Sequence, residues 1–396
     1  MKKLFVKFFI IIMIFNIYIL TLKGEMYFNL SLKEGGFYST PNIYFINNVS
    51  SDIAYMYKFN NEYSILGYYQ LSYSGPDIGN SIEAKFSERD QDHYIMLKSI
   101  IKKWKHLTLK PSVTFFKSFY KYSKNEEWGT GLYDLNKYEF GIESFYNGLS
   151  FLPFKFSYRF GIYNYPNYND LLTMYVSTFN ETKNIEDYKS HYFILEVNRL
   201  KIKNNIFINF SDSLTLSFYD NKKVIDANTG LEKNEYQRVF NNVVTFIPEY
   251  LFQQFYLSME INVELNHCNQ NFLSGYSPDP KDITILKNYY SYFYYDINPS
   301  FSYIISKDKV LSFILSLKSK HYLDRPAQDI EGNYISSKLY LNTYSFNIMY
   351  QVKLSKYFSL SPSYMYVKSI SNNKYDRSIR YNYDSHLITL QLNYTY

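Results

Sequence analysis

Two stretches of this sequence, 255–266 and 344–355, alternate apolar with polar residues almost without interruption. Because successive side chains of a β-strand point to opposite faces, each stretch predicts a strand with one apolar face and one polar face. Stretches of this length exceed the strands usual in soluble sheets and match a tilted strand that crosses a membrane. The fold must therefore accommodate long strands that meet an apolar environment on one side and water on the other.

The same alternation recurs along the chain, for example at 138–143 and 154–162. After residue 24, no apolar run approaches the roughly 18 residues that a membrane-spanning helix needs. Strands cross lipid only as a closed barrel, because an open edge would leave unpaired N–H and C=O groups in hydrocarbon. We therefore predict an all-β fold, a transmembrane antiparallel up-and-down β-barrel. A soluble sandwich of amphipathic strands is the alternative.

The final residues, 385–396, also alternate and end on an aromatic side chain. Their apolar face carries Ile388, Leu390, Leu392, Tyr394 and Tyr396. This ending resembles the closing strand of bacterial outer-membrane β-barrel proteins of the porin-like class. The resemblance implies that these residues form the signal read by the barrel-assembly machinery, although Tyr396 stands where Phe is commoner in that class. The resemblance does not indicate a substrate.

The start of the chain indicates export. Lysines precede and punctuate an apolar run over residues 8–22, after which the sequence becomes polar. This pattern predicts a secretory signal peptide at 1–24 and a single barrel domain at 25–396. The cleavage motif is poor, so a retained N-terminal membrane helix is the alternative.

Charge and cysteine content exclude two other classes of protein. Removal of residues 1–24 takes away four lysines and no acid, which lowers the formal net charge from +6 to +2. Nucleic-acid binding, which needs a clustered positive face, is therefore not expected. The lone cysteine, Cys268, rules out an intramolecular disulfide framework.

The connections between the predicted strands alternate in length. Short ones are predicted near 60–61, 102–105, 147–148, 203–205, 249–250, 307–308 and 355–356. Longer polar ones are predicted near 37–49, 75–89, 121–133, 164–187, 221–235, 268–287, 324–337 and 372–384. Short turns at one rim and long loops at the other are typical of outer-membrane barrels, and the count gives about sixteen strands, with about fourteen or eighteen as alternatives.

Prolines interrupt two of the predicted strands. Pro111 and Pro362 lie a few residues inside strands, although proline cannot donate to the hydrogen-bond ladder and usually sits at strand starts, edges or bulges. We predict that both mark bulges near the rim. The alternative is that they mark true loops.

No catalytic motif is present. The sequence lacks a Gly-rich phosphate loop with a following lysine, CxxC, HExxH and GxSxG, and its six histidines are dispersed. His267 beside Cys268 is a possible start of a metal site, but the neighbouring amides do not supply further ligands, so a surface-loop pair is favoured. We expect no enzyme, no catalytic residue, no cofactor and no metal site.

The polar face of the predicted barrel carries charges of both signs. A charge on the lipid side near the bilayer midplane would cost about 2–4 kcal/mol for Arg or Lys, so these side chains are expected to point inward. The candidate pore-lining residues are Lys58, Glu139, Glu143, Lys155, Arg159, Glu196, Glu260, Asn262, Glu264 and Lys353. The alternative is that acids and bases pair as structure, for example Glu143 with Lys155 or Glu139 with Arg159.

These observations predict a porin-like channel in the bacterial outer membrane that allows passive diffusion of small hydrophilic solutes. Its expected partners are outer-membrane lipid, the barrel-assembly machinery and the solutes themselves. The second hypothesis is a surface-exposed adhesin or structural barrel with an occluded lumen. The third is an outer-membrane barrel enzyme.

Overall fold

A computed structural model describes residues 24–39, 42–75, 89–121, 126–149, 152–168, 184–274, 284–375 and 381–396. Most of the predicted signal peptide, residues 1–23, lies outside the described residues, and Gly24 begins the first strand. Within the described part of the chain, no helix is long and apolar enough to cross a membrane.

Sixteen long strands form a closed barrel, which confirms the predicted fold class and strand number. The first eight are β1 (Gly24–Ser39), β2 (Asn42–Lys58), β3 (Tyr63–Gly75), β4 (Arg89–Trp104), β5 (Leu107–Lys121), β6 (Leu135–Tyr146), β7 (Phe154–Asn164) and β8 (Tyr188–Lys203). The others are β9 (Ile206–Ile225), β10 (Glu232–Phe252), β11 (Phe255–Cys268), β14 (Tyr292–Ser306), β15 (Lys309–Gln328), β16 (Tyr334–Lys353), β17 (Phe358–Ser371) and β18 (Tyr383–Thr395). A small hairpin of β12 (Phe272–Ser274) and β13 (Thr284–Leu286) lies in the connection between β11 and β14.

Each barrel strand pairs antiparallel with the next barrel strand along the chain, and β1 pairs with β18 to close the sheet. At this closure Leu32 faces Leu392. The backbones of Phe28 and Tyr396 exchange hydrogen bonds of 3.0 and 2.8 Å. We call the β1–β18 pairing the seam. It gives every barrel strand two neighbours, as strands in hydrocarbon require.

The two faces of the barrel differ in crowding, and this difference identifies the lumen. Side chains converge on the concave face of a closed sheet and diverge on its convex face. On β18, Thr389 is 4% exposed, whereas its neighbours Ile388 and Leu390 are 65% and 51% exposed. The polar face therefore lines the lumen. The apolar, outward-facing side chains of the sixteen strands form the outer surface, which we call the lipid belt.

One rim of the barrel has mostly tight turns within the described chain, such as 105–106, 204–205 and 307–308. In outer-membrane barrels the short turns lie on the periplasmic side, so we call this rim periplasmic and the other extracellular. The predicted turn at 249–250 is wrong, because β10 continues to Phe252 and the turn falls at 253–254. Tyr250 faces Leu257 across the ladder and so extends the apolar face instead of ending it.

Three predicted long loops are mostly strand. The predicted loop at 37–49 is wrong, because β1 runs to Ser39 and β2 starts at Asn42, with unbroken pairing between them. The loops predicted at 221–235 and 324–337 shorten to 226–231 and 329–333. Polar side chains do not prevent these segments from pairing, because strands that project beyond the membrane can be polar on both faces.

The β9–β10 connection is a tight turn built on Asp226. The Asp226 carboxylate accepts hydrogen bonds from the backbone N–H groups of Asn228 and Thr229, both at 2.8 Å. These two donors, followed by Lys233, hold the pKa of the Asp226 carboxyl well below its usual range. The aspartate therefore replaces the missing ladder hydrogen bonds at this turn.

The prolines do not form bulges, so that prediction is wrong. Pro111 and Pro362 lie within β5 and β17, and the strand registers are the same on either side of each proline. Both side chains belong to the lipid belt, where Pro111 faces Ile142 and Pro362 faces Leu390. Each proline removes a hydrogen-bond donor locally without shifting the register.

Candidate functional site in the barrel lumen

The ten candidate pore-lining residues all lie on the lumen face of the barrel. Lys58 forms an exposed ion pair with Glu25, with 2.5 Å between Nζ and Oε1, near the periplasmic rim. Lys353 lies close to the same rim at the end of β16. The other eight belong to two stretches of wall, one formed by β4–β8 and one by β10–β14.

Charges on the β4–β8 wall form ion pairs. Lys98 Nζ lies 2.8 Å from Glu143 Oε1, and this pair reaches from β4 across β5 to β6 on the concave face. Lys155 Nζ lies 2.5 Å from Glu196 Oε2 on the neighbouring strand β8. The sequence suggested that Glu143 pairs with Lys155. Instead each takes a different partner, because long side chains on a concave face can reach beyond the adjacent strand.

A third acid on this wall has two cationic partners. Glu139 Oε2 lies 2.7 Å from Lys137 Nζ, and Glu139 Oε1 lies 3.5 Å from Arg159. Both cations also lie over the ring of Tyr192, at 5.7 and 5.4 Å from its centroid. This arrangement includes the expected contact between Glu139 and Arg159. The β4–β8 wall therefore holds its acids in pairs with bases and presents little net negative charge.

The β10–β14 wall is different, because its acids contact amides instead of bases. Glu260, Asn262 and Glu264 follow one another on the lumen face of β11, and Asn262 faces Asp296 of β14. Asn262 Nδ2 donates to Glu260 Oε1 at 2.6 Å and to Asp296 Oδ1 at 2.7 Å. We call Glu260, Asn262, Glu264 and Asp296 the acidic strip.

Neutral donors also contact Glu264 and the second carboxylate oxygen of Asp296. Glu264 Oε1 accepts hydrogen bonds from Asn241 Nδ2 at 2.6 Å and from the Tyr292 hydroxyl at 2.7 Å. Asp296 Oδ2 accepts one from the Tyr294 hydroxyl at 2.9 Å. Among the described residues, no lysine or arginine forms an ion pair with any of these three carboxylates. Within the described chain, no direct ion pair therefore compensates the carboxylates of the strip.

Two lysines of β15 lie beside the acidic strip. Lys318 faces Asp296 and Lys320 faces Tyr294 across the β14–β15 ladder. Lys320 Nζ stacks 3.6 Å from the centroid of the Tyr292 ring, the same ring whose hydroxyl donates to Glu264. The ring thus separates this ammonium group from the carboxylate. Positive charge near the strip moderates its field without forming a direct ion pair.

Sequence reasoning missed Asp296 and the tyrosines of β14. The signal was present, because the even positions of 292–302 are all polar or phenolic. Phe293 and Tyr295 alternate with Tyr292 and Tyr294, so that aromatic rings occupy both faces and conceal the period. Lys98 and Lys137 were missed for a different reason, since their strands are only partly regular.

The histidines do not contribute to the lumen wall. Five of the six lie on the outer face of the barrel near the extracellular rim: His93, His191, His267, His321 and His386. The sixth, His106, lies in a periplasmic turn. His267 and Cys268 end β11 and Cys268 is buried, so the predicted surface-loop pair is wrong. Within the residues that the structure describes, no three His, Cys, Asp or Glu side chains form a metal-binding group.

Thiol labelling tests which face of β11 meets water. In a Cys268→Ser background, we expect a water-soluble thiol reagent to label the variants Ser258→Cys, Glu260→Cys and Asn262→Cys in lipid bilayers. The variants Leu257→Cys, Met259→Cys and Ile261→Cys on the opposite face should remain unlabelled, because lipid covers them. Equal labelling of the two sets would contradict the assignment of the faces.

Comparison with known proteins supports the architecture. No known protein family and no curated protein matches the sequence. Among solved structures, the chain is similar to CdiB from Acinetobacter baumannii, with a TM-score of 0.51 and 10% identity over 94% of this chain and 60% of that chain. The fold is that of an outer-membrane β-barrel. With its seam and lipid belt, the protein belongs in a bacterial outer membrane.

Two other solved structures match this chain over nearly their whole length. OmpT, an outer membrane protein of Vibrio cholerae in its trimer form, gives a TM-score of 0.49 and 10% identity over 94% of this chain and 99% of that chain. OpdQ of Pseudomonas aeruginosa gives a TM-score of 0.49 and 11% identity over 94% of this chain and 98% of that chain.

Proposed function

We propose that this outer-membrane barrel is a channel for the passive diffusion of small hydrophilic solutes, with a modest preference for cations. The observation that carries the proposal is the acidic strip. Its three carboxylates face the lumen, and their contacts within the described residues are hydrogen bonds from neutral donors. A channel wall of this kind can exchange water and solute contacts without breaking an ion pair.

Barrel size supports the same proposal. A barrel of sixteen strands is wide enough to enclose an aqueous lumen, in contrast to barrels of about eight strands, whose side chains fill the interior. Eight of the ten candidate residues on this face are acids or bases that belong to described contacts. A polar, charged interior suits hydrated solutes and disfavours apolar ones.

Electrostatics support the preference for cations. Charges in a passage with low-dielectric walls focus the field and raise the local concentration of counter-ions. The paired charges of the β4–β8 wall largely cancel, whereas the acidic strip has no direct cationic partner among the described residues. Lys318 and Lys320 lie close enough to limit the effect. The preference should therefore be measurable and modest.

Planar bilayer measurements test both parts of the proposal. We expect single-channel conductance from the reconstituted protein and a reversal potential that favours cations. The triple variant Glu260→Gln, Glu264→Gln, Asp296→Asn should lower the cation-to-anion permeability ratio roughly two- to fivefold at about 0.1 M salt, where the Debye length is about 10 Å. The shift should shrink at about 1 M salt, where that length is about 3 Å.

A matched control removes charge from the other wall. The double variant Lys98→Met, Glu143→Gln deletes one complete ion pair and leaves the net charge unchanged, so its reversal potential should match that of the parent protein. An unchanged reversal potential in the triple variant at low salt would show that the acidic strip does not face the conducting path. Absence of any conductance in the parent protein would favour the adhesin or structural barrel instead.

A further inference from the structure

The outer surface of the barrel carries a carboxylate at a depth where only apolar side chains are expected. Asp212 lies on β9 and faces Leu195 of β8 and Val244 of β10, so its side chain points outward. Three outward apolar side chains flank it on each side along the strand: Ile206, Ile208 and Phe210 toward the periplasm, and Leu214, Leu216 and Phe218 toward the extracellular rim. Because a strand crosses the membrane in about 9–11 residues, Asp212 lies near the bilayer midplane.

An amide lies beside this carboxylate on the same face. Asn242 of β10 donates from Nδ2 to Asp212 Oδ1 at 2.7 Å. Asn242 Nδ2 also lies 3.4 Å from the backbone carbonyl oxygen of Ser213, which is long for a hydrogen bond. Asn241, the preceding residue, reaches Glu264 in the lumen, so the alternation of β10 places Asn242 outside. We call Asp212 and Asn242 the outer polar pair.

The described part of the barrel does not satisfy the outer polar pair completely. The chain is described without a gap over 184–274, which includes β8, β9, β10 and β11. Among the described residues, no lysine or arginine forms an ion pair with Asp212, and Asn242 is its one hydrogen-bond donor. Ionisable side chains at this depth almost always face protein or water. The pair therefore calls for a protein partner on the outer surface.

The surroundings of the pair indicate why it would select the contact. Exposed apolar side chains surround it, including Leu195, Phe246 and Leu265. Contact between such apolar surfaces gains little in a bilayer, because lipid tails are equally apolar. Packing and hydrogen bonds between polar groups instead determine which faces of membrane proteins meet. The outer polar pair is thus the feature of this surface that distinguishes a protein neighbour from lipid.

The outer polar pair is complementary to a second copy of itself. Asn242 supplies N–H donors, and the oxygen atoms of both side chains supply acceptors. In two copies related by a two-fold axis, each Asn242 would lie opposite Asp212 of the other copy, with the amides between the two carboxylates. We infer that the outer face of β8–β10 binds a second copy of this chain, with the outer polar pair at the centre of the contact.

Another acid on the outer surface provides a comparison. Glu34 of β1 faces Leu390 of β18 and Asn47 of β2, and its side chain is exposed. Seven strands separate β1 from β9 in either direction, so Glu34 and Asp212 lie on opposite sides of the barrel. A two-fold contact through β8–β10 leaves Glu34 outside the interface. The variant Glu34→Leu is therefore a matched control for Asp212→Leu.

Energy transfer between copies in lipid vesicles measures the association. Donor and acceptor dyes are attached at Lys307→Cys, in a periplasmic turn, in the Cys268→Ser background. We expect energy transfer to rise with the protein-to-lipid ratio, and Asp212→Leu or Asn242→Leu to weaken the association roughly tenfold. A hydrogen bond between groups in the membrane is worth about threefold in affinity, and a two-fold contact loses two of them. Asp212→Asn should retain the association, because its amide oxygen still accepts from Asn242, and Glu34→Leu should leave it unchanged.

Disulfide formation locates the contact face. Leu214 lies directly opposite Asn242 across the ladder, beside the outer polar pair. In the Cys268→Ser background, Leu214→Cys should form a disulfide-linked dimer in bilayers when copper phenanthroline is added as the oxidant. Leu32→Cys, which faces outward on β1, should remain monomeric under the same conditions.

Three outcomes would overturn the inference. The first is a parent protein that stays monomeric at every protein-to-lipid ratio, which would mean that lipid or a different protein covers the pair. The second is an association that Asp212→Leu weakens no more than Glu34→Leu does. The third is equal cross-linking of Leu214→Cys and Leu32→Cys. Leucine suits a lipid-facing position, so Asp212→Leu should fold, and heat-modifiable migration on gels verifies this for each variant.

Discussion

The double variant Tyr394→Asp, Tyr396→Asp should fail to form the barrel. Tyr394 packs against Phe28, Phe358 and Tyr357, with ring centroids 6.1, 4.8 and 6.2 Å apart. Each aromatic contact is worth about 0.5–1.5 kcal/mol beyond the area it buries. The substitution removes these contacts on both sides of β18 and places two carboxylates on the face that meets lipid. We expect loss of the heat-modifiable form and rapid proteolysis of the exported chain.

The polar face of the same strand supplies the control. The double variant Asn393→Asp, Thr395→Asp introduces the same charge one residue away, but toward the lumen, and should fold with normal gel mobility. Tyr394→Phe with Tyr396→Phe should fold as well, because the rings remain. If the two aspartate variants behaved alike, the placement of the apolar face of β18 would be wrong. The proposal that this strand is also an assembly signal stays a prediction.

An arginine introduced in the middle of the lipid belt should have the next largest effect on the stability of the barrel. Met259 lies outward at the centre of β11, between Leu257 and Ile261. Met259→Arg should lower the free energy of unfolding by about 2–4 kcal/mol, because the guanidinium group would face hydrocarbon near the bilayer midplane. Denaturant titration of the protein refolded in lipid vesicles measures this change.

Ser258→Arg is the matched control, one residue away and directed into the lumen. It should lower the free energy of unfolding by at most about 1.5 kcal/mol, the value of a typical hydrogen bond, since it removes the contact between the Ser258 and Ser300 hydroxyl groups. Equal costs for the two arginines would mean that both faces of β11 meet the same environment. That result would contradict the barrel orientation.

The sequence predicted the architecture well because alternation and closure are both physical constraints on a strand in lipid. At 255–266 and 344–355 the strands run where the alternation places them. Strand ends were predicted less well. The segment 37–49 looked like a loop because its composition is polar, yet its backbone pairs along β1 and β2. Pairing beyond the membrane depends on the neighbouring strand, which local composition does not report.

For the lumen wall, too, the sequence predicted some features and could not predict others. The face of Glu260 or Lys155 follows from the two-residue period of its strand, so the sequence could predict it. The partner of Lys155 could not be predicted, because it depends on the lateral order and register of the strands. The same applies to Asp296, which reaches Asn262 only when β14 pairs with β11 across the intervening hairpin.

The seam also has a consequence for the order of folding. Apart from the seam, barrel strands pair with their neighbours in the chain, so these contacts can form from local hairpins. The seam instead joins groups as distant as Gln391 and Ser31, which are 360 residues apart. Closing a loop of that length costs only about 2–3 kcal/mol more in chain entropy than closing a hairpin of about 20 residues. Because the seam contacts are far more distant in sequence than the hairpin contacts, we expect the seam to form after the hairpins. The last species before the closed barrel should then be a curled open sheet.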